Sequence, residues 1–156
     1  MPQELAKHLK QVFFGGNWTS SNLKDTLVDV TWQEAATKVH SLNTITQLVY
    51  HIHYFIIAVT NVLEGKELNS KDEQSFSHSA VQNEDDWQTM IKQTLSDAEK
   101  LSALIERLPD NELNSTFVKE EYGSYNRNLL GIIEHTHYHL GQIVLIKRMI
   151  KSGIKV

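Results

Sequence analysis

This sequence predicts an all-α fold, a four-helix bundle with a long crossover loop after its second bundle helix, and three observations carry the prediction. Apolar residues recur at helical spacing over four long segments. Only two prolines and seven glycines occur in 156 residues, too few turn formers for a fold of many short strands. No convincing strand appears between the helical segments.

Pro2–Phe14 is the first amphipathic segment, with Leu5, Leu9, Val12 and Phe13 on one side. Gly15-Gly16-Asn17 ends it, because successive glycines are poor helix formers and good hinges. Trp18 to Val30 follows, with Thr19, Ser20 and Ser21 as candidate N-caps for a helix through Leu23 and Leu27. Thr31-Trp32-Gln33-Glu34 has the form of a capping box and starts a short helix.

The next segment has the clearest period in the chain. Leu42, Ile45, Val49, Ile52, Ile56, Val59 and Leu63 alternate steps of three and four, the narrow seam of a helix packed lengthwise against others. Ser41, Asn43 or Thr44 caps its start, and Gly65 sits where a glycine just past the C-cap belongs. Residues 66–82 are polar and aperiodic and read as a long loop. Asn83 or Asp85 opens another helix, with Trp87, Ile91, Leu95, Ala98, Leu101, Ile105 and Leu108 facing inward until Pro109 stops it. After a second loop, 110–123, the last helix runs from about Ser124 to Lys151 and ends near Gly153. At 1.5 Å per residue it is about 40 Å long, enough to run the length of a bundle. The sum is four long amphipathic helices and one short one, in a single domain spanning 1–156.

Composition narrows the chemistry. Hydrophobic residues make up 40% and charged residues 22%, which is globular and too apolar for a disordered chain. Fifteen Lys and Arg against nineteen Asp and Glu leave a net charge of −4 with no basic block, so the footprint of a nucleic-acid binder is missing. With no cysteine, disulfides, thiolate metal sites, Fe–S clusters and Cys nucleophiles are excluded together. The N-terminus MPQELAKHLKQVFF has no apolar signal core, and no stretch approaches the roughly 20 apolar residues of a membrane span. A cytoplasmic protein without a membrane partner is the expectation. No phosphate loop, dinucleotide fingerprint, GxSxG elbow or HExxH motif occurs. Trp18, Trp32 and Trp87 lie near segment starts and read as packing anchors.

Histidines are what remains. On the last helix one stripe reads Ile132, His135, His139, Ile143, Ile146, Ile150, so two imidazoles one turn apart occupy consecutive positions of an aliphatic seam. An H-x-x-x-H pair arises by chance about 0.4 times in a chain with this many histidines. The aliphatic setting is what lifts it, because neighbouring buried imidazoles need partners and a shared metal supplies one. A third ligand must come from another helix. The heptad helix offers His51 and His53, each about 100° from the seam residue Ile52, and helical geometry does not choose between them. His137 lies in a different row, Leu130, Ile133, His137, Leu140, Val144, which makes the helix apolar on two sides and suggests contact with another subunit. His8, His40 and His78 read as solvated, Glu34 as a capping residue and Glu134 as exposed. Tyr50, Arg127 and Gln142 are near the histidines in sequence, without their orientation being readable.

The stretch EHTHYHLGQI (Glu134–Ile143), following a long helix that carries LVYHI (Leu48–Ile52), resembles the DinB-like superfamily of small four-helix proteins. That family carries one His midway along the second bundle helix and H-x-x-x-H-x-G-Q on the last. Here these are His51, then His135, His139, Gly141 and Gln142. The likeness extends over most of the chain, through helix lengths and the long crossover loop. It implies a divalent metal, commonly zinc or nickel, held by His51, His135 and His139, and so selects His51 over His53. A three-His site with an open position is catalytic in type. Relatives include metal-dependent thiol S-transferases that use low-molecular-weight thiols, thiol-dependent isomerases, and many proteins without known activity; they are often homodimers. The sequence departs at Leu140, where many relatives carry Arg. The resemblance thus implies a metal-dependent transferase or related hydrolase acting on a small-molecule substrate. The alternatives are a non-catalytic metal protein and a plain helical interaction module with hydrogen-bonded histidines.

Overall fold

The computed structural model describes residues 1–153. Among them are six α-helices: α1 (Pro2–Phe14), α2 (Leu23–Leu27), α3 (Trp32–Ala36), α4 (Ile45–Leu63), α5 (Glu84–Glu106) and α6 (Tyr125–Lys151). The described residues contain no strand, only one isolated bridge between Thr116 and Ser124. Three short 3-10 turns, Asp72–Gln74, Asp110–Asn114 and Glu120–Tyr122, lie in the loops. The fold is the all-α bundle that the periodicity predicts, with α1, α4, α5 and α6 as its four long members.

Local chemistry sets the starts. Thr44 and Gln47 form a reciprocal capping box at α4, the Thr44 hydroxyl accepting from Gln47 N–H and the Gln47 side chain from Thr44 N–H. Asn83 accepts from the Asp86 N–H at α5, whose first turn holds Glu84, Asp85 and Asp86, charges that suit a helix N-terminus. Ser124 does the same for α6 through Arg127 N–H. Between α1 and α4 the chain makes two short helices, one through Leu23 and Leu27 and one after Thr31, as the sequence offers. The cap of the first is Asn22, not the Thr19, Ser20 or Ser21 that the sequence offered. The capping box at Thr31–Glu34 starts the second.

Packing closes a ring in which α5 lies between α1 and α4, and α6 lies between α4 and α1 on the other side. Trp32 N–H donates to Glu84, and Trp87 Nε1 donates to Val30 O at 2.8 Å, which brings the start of α5 to the segment leading into α4. His53 pairs with Asp97 further along both helices, so α4 and α5 run in the same direction. The connection between them must therefore return along the bundle, and residues 64–83 are that crossover. α6 runs opposite to α4: Phe55 and Val59 adjoin Arg127–Ile132, whereas His51 adjoins His135 and His139.

Within α4 the seam is buried as its period requires, Ile45, Val49, Ile52 and Ile56 having no exposed surface, whereas Leu42, the first residue of the expected seam, lies before the Thr44 cap and is exposed. By length and composition α4 is apolar enough to cross a membrane, which amends the sequence expectation that no stretch comes close. In the fold 61% of that apolar window is buried among the other helices. Trp87 is fully buried, but Trp18 is fully exposed and anchors nothing, because the turn after Gly15-Gly16 points it outward. Ile133 and Leu140, from the second apolar row of α6, are each only 2% exposed, and His137 lies 6.1 Å from the His8 ring of α1. Most of that row is thus covered within the chain.

Candidate metal centre

His51 enters from the middle of α4, and His135 and His139 enter from α6 one turn apart. Because α4 and α6 are antiparallel neighbours, the three side chains meet at one level of the interior. His51 and His139 are each 7% exposed. His51 Nε2 lies 3.0 Å from His135 Nε2, which lies 3.1 Å from His139 Nε2. One ring nitrogen from each residue falls within 4.8 Å of the others.

The outer ring nitrogens tell which protons these rings carry. Ser75 Oγ donates to Asp72 O at 2.6 Å, so it accepts from His51 Nδ1–H at 2.9 Å. Gln142 Oε1 can only accept, so His139 Nδ1 donates to it at 2.7 Å. Both rings are held as the Nδ1–H tautomer, with bare Nε2 lone pairs directed at His135. A proton on His135 Nε2 serves at most one of these two neighbours, and its Nδ1 is buried with no partner. Whichever nitrogen of His135 carries the proton, at least one inward lone pair is left facing another without a donor between them, a repulsion that a cation among the three rings would remove. A tetrahedral divalent ion bound at about 2.0–2.1 Å places its nitrogens roughly 3.3 Å apart, close to the separations observed. The donor set therefore fits a divalent metal of borderline softness.

Electrostatics agree with the geometry. Burial, followed by the charge its neighbours would carry, pushes His51 and His135 down to about 4. His139 is lowered chiefly by burial, against which the Gln142 hydrogen bond works. All three are neutral at pH 7, the form in which an imidazole ligates a metal. Aromatic rings wall the cluster: Phe76 stacks on His51 at 3.9 Å, and Phe55 stands edge-on to both His51 and His135.

The other histidines separate cleanly. His53 Nε2 turns to Asp97 Oδ2 at 2.7 Å, a boundary pair between α4 and α5. His40 and His8 are exposed, whereas His78 is half-buried beside Tyr50 rather than solvated. Glu34 caps α3 and also meets Lys151. Glu134 is exposed, as expected, and Leu140, at the departure from the family pattern, is packed in the interior.

Sequence reasoning missed Ser75 and Phe76. Both sit in the crossover, whose aperiodic polar sequence carries no sign that it passes over His51. Gln142 had a usable signal, a polar side chain three residues past His139 on the same face.

The sequence pattern of the DinB superfamily matches residues 18–143, a span that includes all three histidines. No curated protein and no solved structure matches the chain.

Proposed function

The chain belongs to the DinB superfamily, and from that premise we propose that it is a metal-dependent enzyme holding a divalent ion, zinc or nickel, on His51, His135 and His139. The observation that carries the reading is the convergence of three Nε2 atoms, two of them with tautomers locked so that their lone pairs point inward. Of the reactions open to such a site, thiol S-transfer or a related hydrolysis is the reading, with a low-molecular-weight thiol as a further ligand. A divalent ion there would act as a Lewis acid and lower the pKa of a thiol or water that it binds.

The chain's own residues supply the rest. Ser75 and Gln142 orient two of the ligating rings and raise their basicity as hydrogen-bond acceptors. Phe55 and Phe76 exclude water from one side. A cleft beside His135 supports a catalytic over a merely structural ion, because a structural site is closed by a fourth protein ligand. A second copy of the chain is the partner in this reading, and exposed Leu42, Tyr138 and Leu145 support it.

The test is elemental analysis of tag-free protein beside a His51→Ala, His135→Ala, His139→Ala variant, with Zn²⁺ and Ni²⁺ titrated into the stripped forms. Near-stoichiometric metal in wild type and none in the variant is the expected result. Equal uptake in both, or none in either, removes the reading. A thiol-transfer screen on the loaded protein then decides between transferase and hydrolase.

A further inference from the structure

The cleft beside the three imidazoles encloses about 400 Å³, within the range of small-molecule sites. Of the cluster, His135 lines it. Phe55 and Val59 of α4 and Ile132 of α6 form an apolar wall, with Glu134 next to His135 and Arg127 further toward the start of α6. Arg127 and His135 are eight residues apart, which puts about 12 Å of helix axis between the two ends.

Position 131 lies one turn from each. It is glycine, a residue disfavoured inside a helix, and a Cβ there would meet nothing within 4 Å. The missing side chain is therefore space in the cleft, because packing does not demand its absence.

The two ends carry opposite charge. Arg127 forms no ion pair among the described residues. Its arm lies over Gly123, where a Cβ would come within 2.7 Å of Arg127 Cδ. It also sits in the first turn of α6, where the helix dipole adds positive potential. The Asn128 amide is already spent on Tyr122 O and Ser124 O, so it is not free for a ligand. At the other end the Glu134 carboxylate repels an anion.

We propose that the cleft takes an elongated small molecule bearing a carboxylate, which Arg127 binds, with its apolar stem on Phe55, Val59 and Ile132 and its reacting group at His135. Gly131 sets the bulk of the stem. The inference rests on the reading of the three imidazoles as the reacting end.

Calorimetry on metal-loaded protein with mercaptooctanoate and mercaptooctanol tests it. Wild type binds the acid about tenfold more tightly than the alcohol, the return from one charge-assisted pair. Arg127→Gln abolishes that preference, and Gly131→Leu weakens both ligands by more than about tenfold, with metal content unchanged in each variant. Equal affinities in wild type, a preference that survives Arg127→Gln, or binding indifferent to Gly131→Leu overturns the inference and leaves the metal reading intact. If the protein takes up no metal, the proposed function fails. Octanoate and octanol then decide the subsite by NMR: shifts at the Arg127 and Gly131 amides with octanoate alone support it, and their absence overturns it.

Discussion

On the side where α1 meets α5, the interior is filled by residues such as Leu9, Phe13, Leu101 and Ile105, none with exposed surface. On the side where α4 meets α6, His135 and His139 interrupt an aliphatic stripe of α6 and His51 meets them from α4, so imidazoles stand where aliphatic side chains would pack. An aliphatic side chain at such a position contributes about 1.5–3 kcal/mol by burial. The imidazoles instead demand partners, which arrive as Ser75, Gln142 and one another. Stability does not account for that layer. The contrast separates the part of the bundle that makes the fold from the part that the fold positions.

The largest effect expected is on the aliphatic side. Phe13→Ala removes a fully buried ring from α1 and should cost about 3–5 kcal/mol in denaturant unfolding, equally with and without metal. Metal content per folded molecule should not change. A Phe13→Ala protein that loses its metal while still folded would mean that the two sides are coupled.

A pH titration of the metal-free protein comes next. His51 and His135 fall from their ordinary 6.5 to about 4 in the fold, because burial disfavours the charged ring. Between those values the unfolded chain binds protons that the folded cluster refuses, so stability falls as pH drops from about 6.5 toward 4. Above 6.5 neither state is protonated at these rings, and they contribute no slope. A His51→Leu, His135→Leu, His139→Leu protein should lose this part of the slope. Unfolding midpoints across the window check it, and an unchanged slope in the variant would place the titration elsewhere.

Smaller changes sharpen the comparison within the cluster. Gln142→Ala or Ser75→Ala removes the acceptor that holds the His139 or the His51 ring and, on the proposed metal reading, should weaken metal binding about ten- to a hundredfold, with the fold retained. A competition titration against a chelator measures it. Affinity unchanged in both variants would mean that tautomer locking is not what prepares the rings.

How far the sequence could be read follows the same division. The seam of α4, a choice of caps that included Thr44 for α4 and Asn83 for α5, the start of α6 near Ser124 and the His135–His139 pair were legible, because each depends on residues within or next to one helix. The crossover was legible as a loop of the right length but not as a cover, since its path over His51 is fixed by the parallel run of α4 and α5. Trp18 failed for a related reason: an aromatic beside a glycine pair looks like an anchor, and only the direction of the turn shows that it faces outward. The choice between His51 and His53 lay beyond the helical wheel, because they flank Ile52 symmetrically. The family resemblance chose His51, and the neighbours supply the physical reason, α6 on one side and α5 on the other.

That symmetry gives the smallest and most discriminating prediction. His53 and His51 are two residues apart on one helix, and both have a partner within 3.0 Å. His53 faces the Asp97 carboxylate at the partly exposed α4–α5 boundary, where such a pair is worth up to about 1 kcal/mol. His53→Ala should therefore lower stability by no more than that. Metal content should match wild type, because the ring turns away from the three clustered imidazoles. Depleted metal in His53→Ala at unchanged fold would put His53 in the cluster's service and undo the assignment of one flank of Ile52 to chemistry and the other to packing.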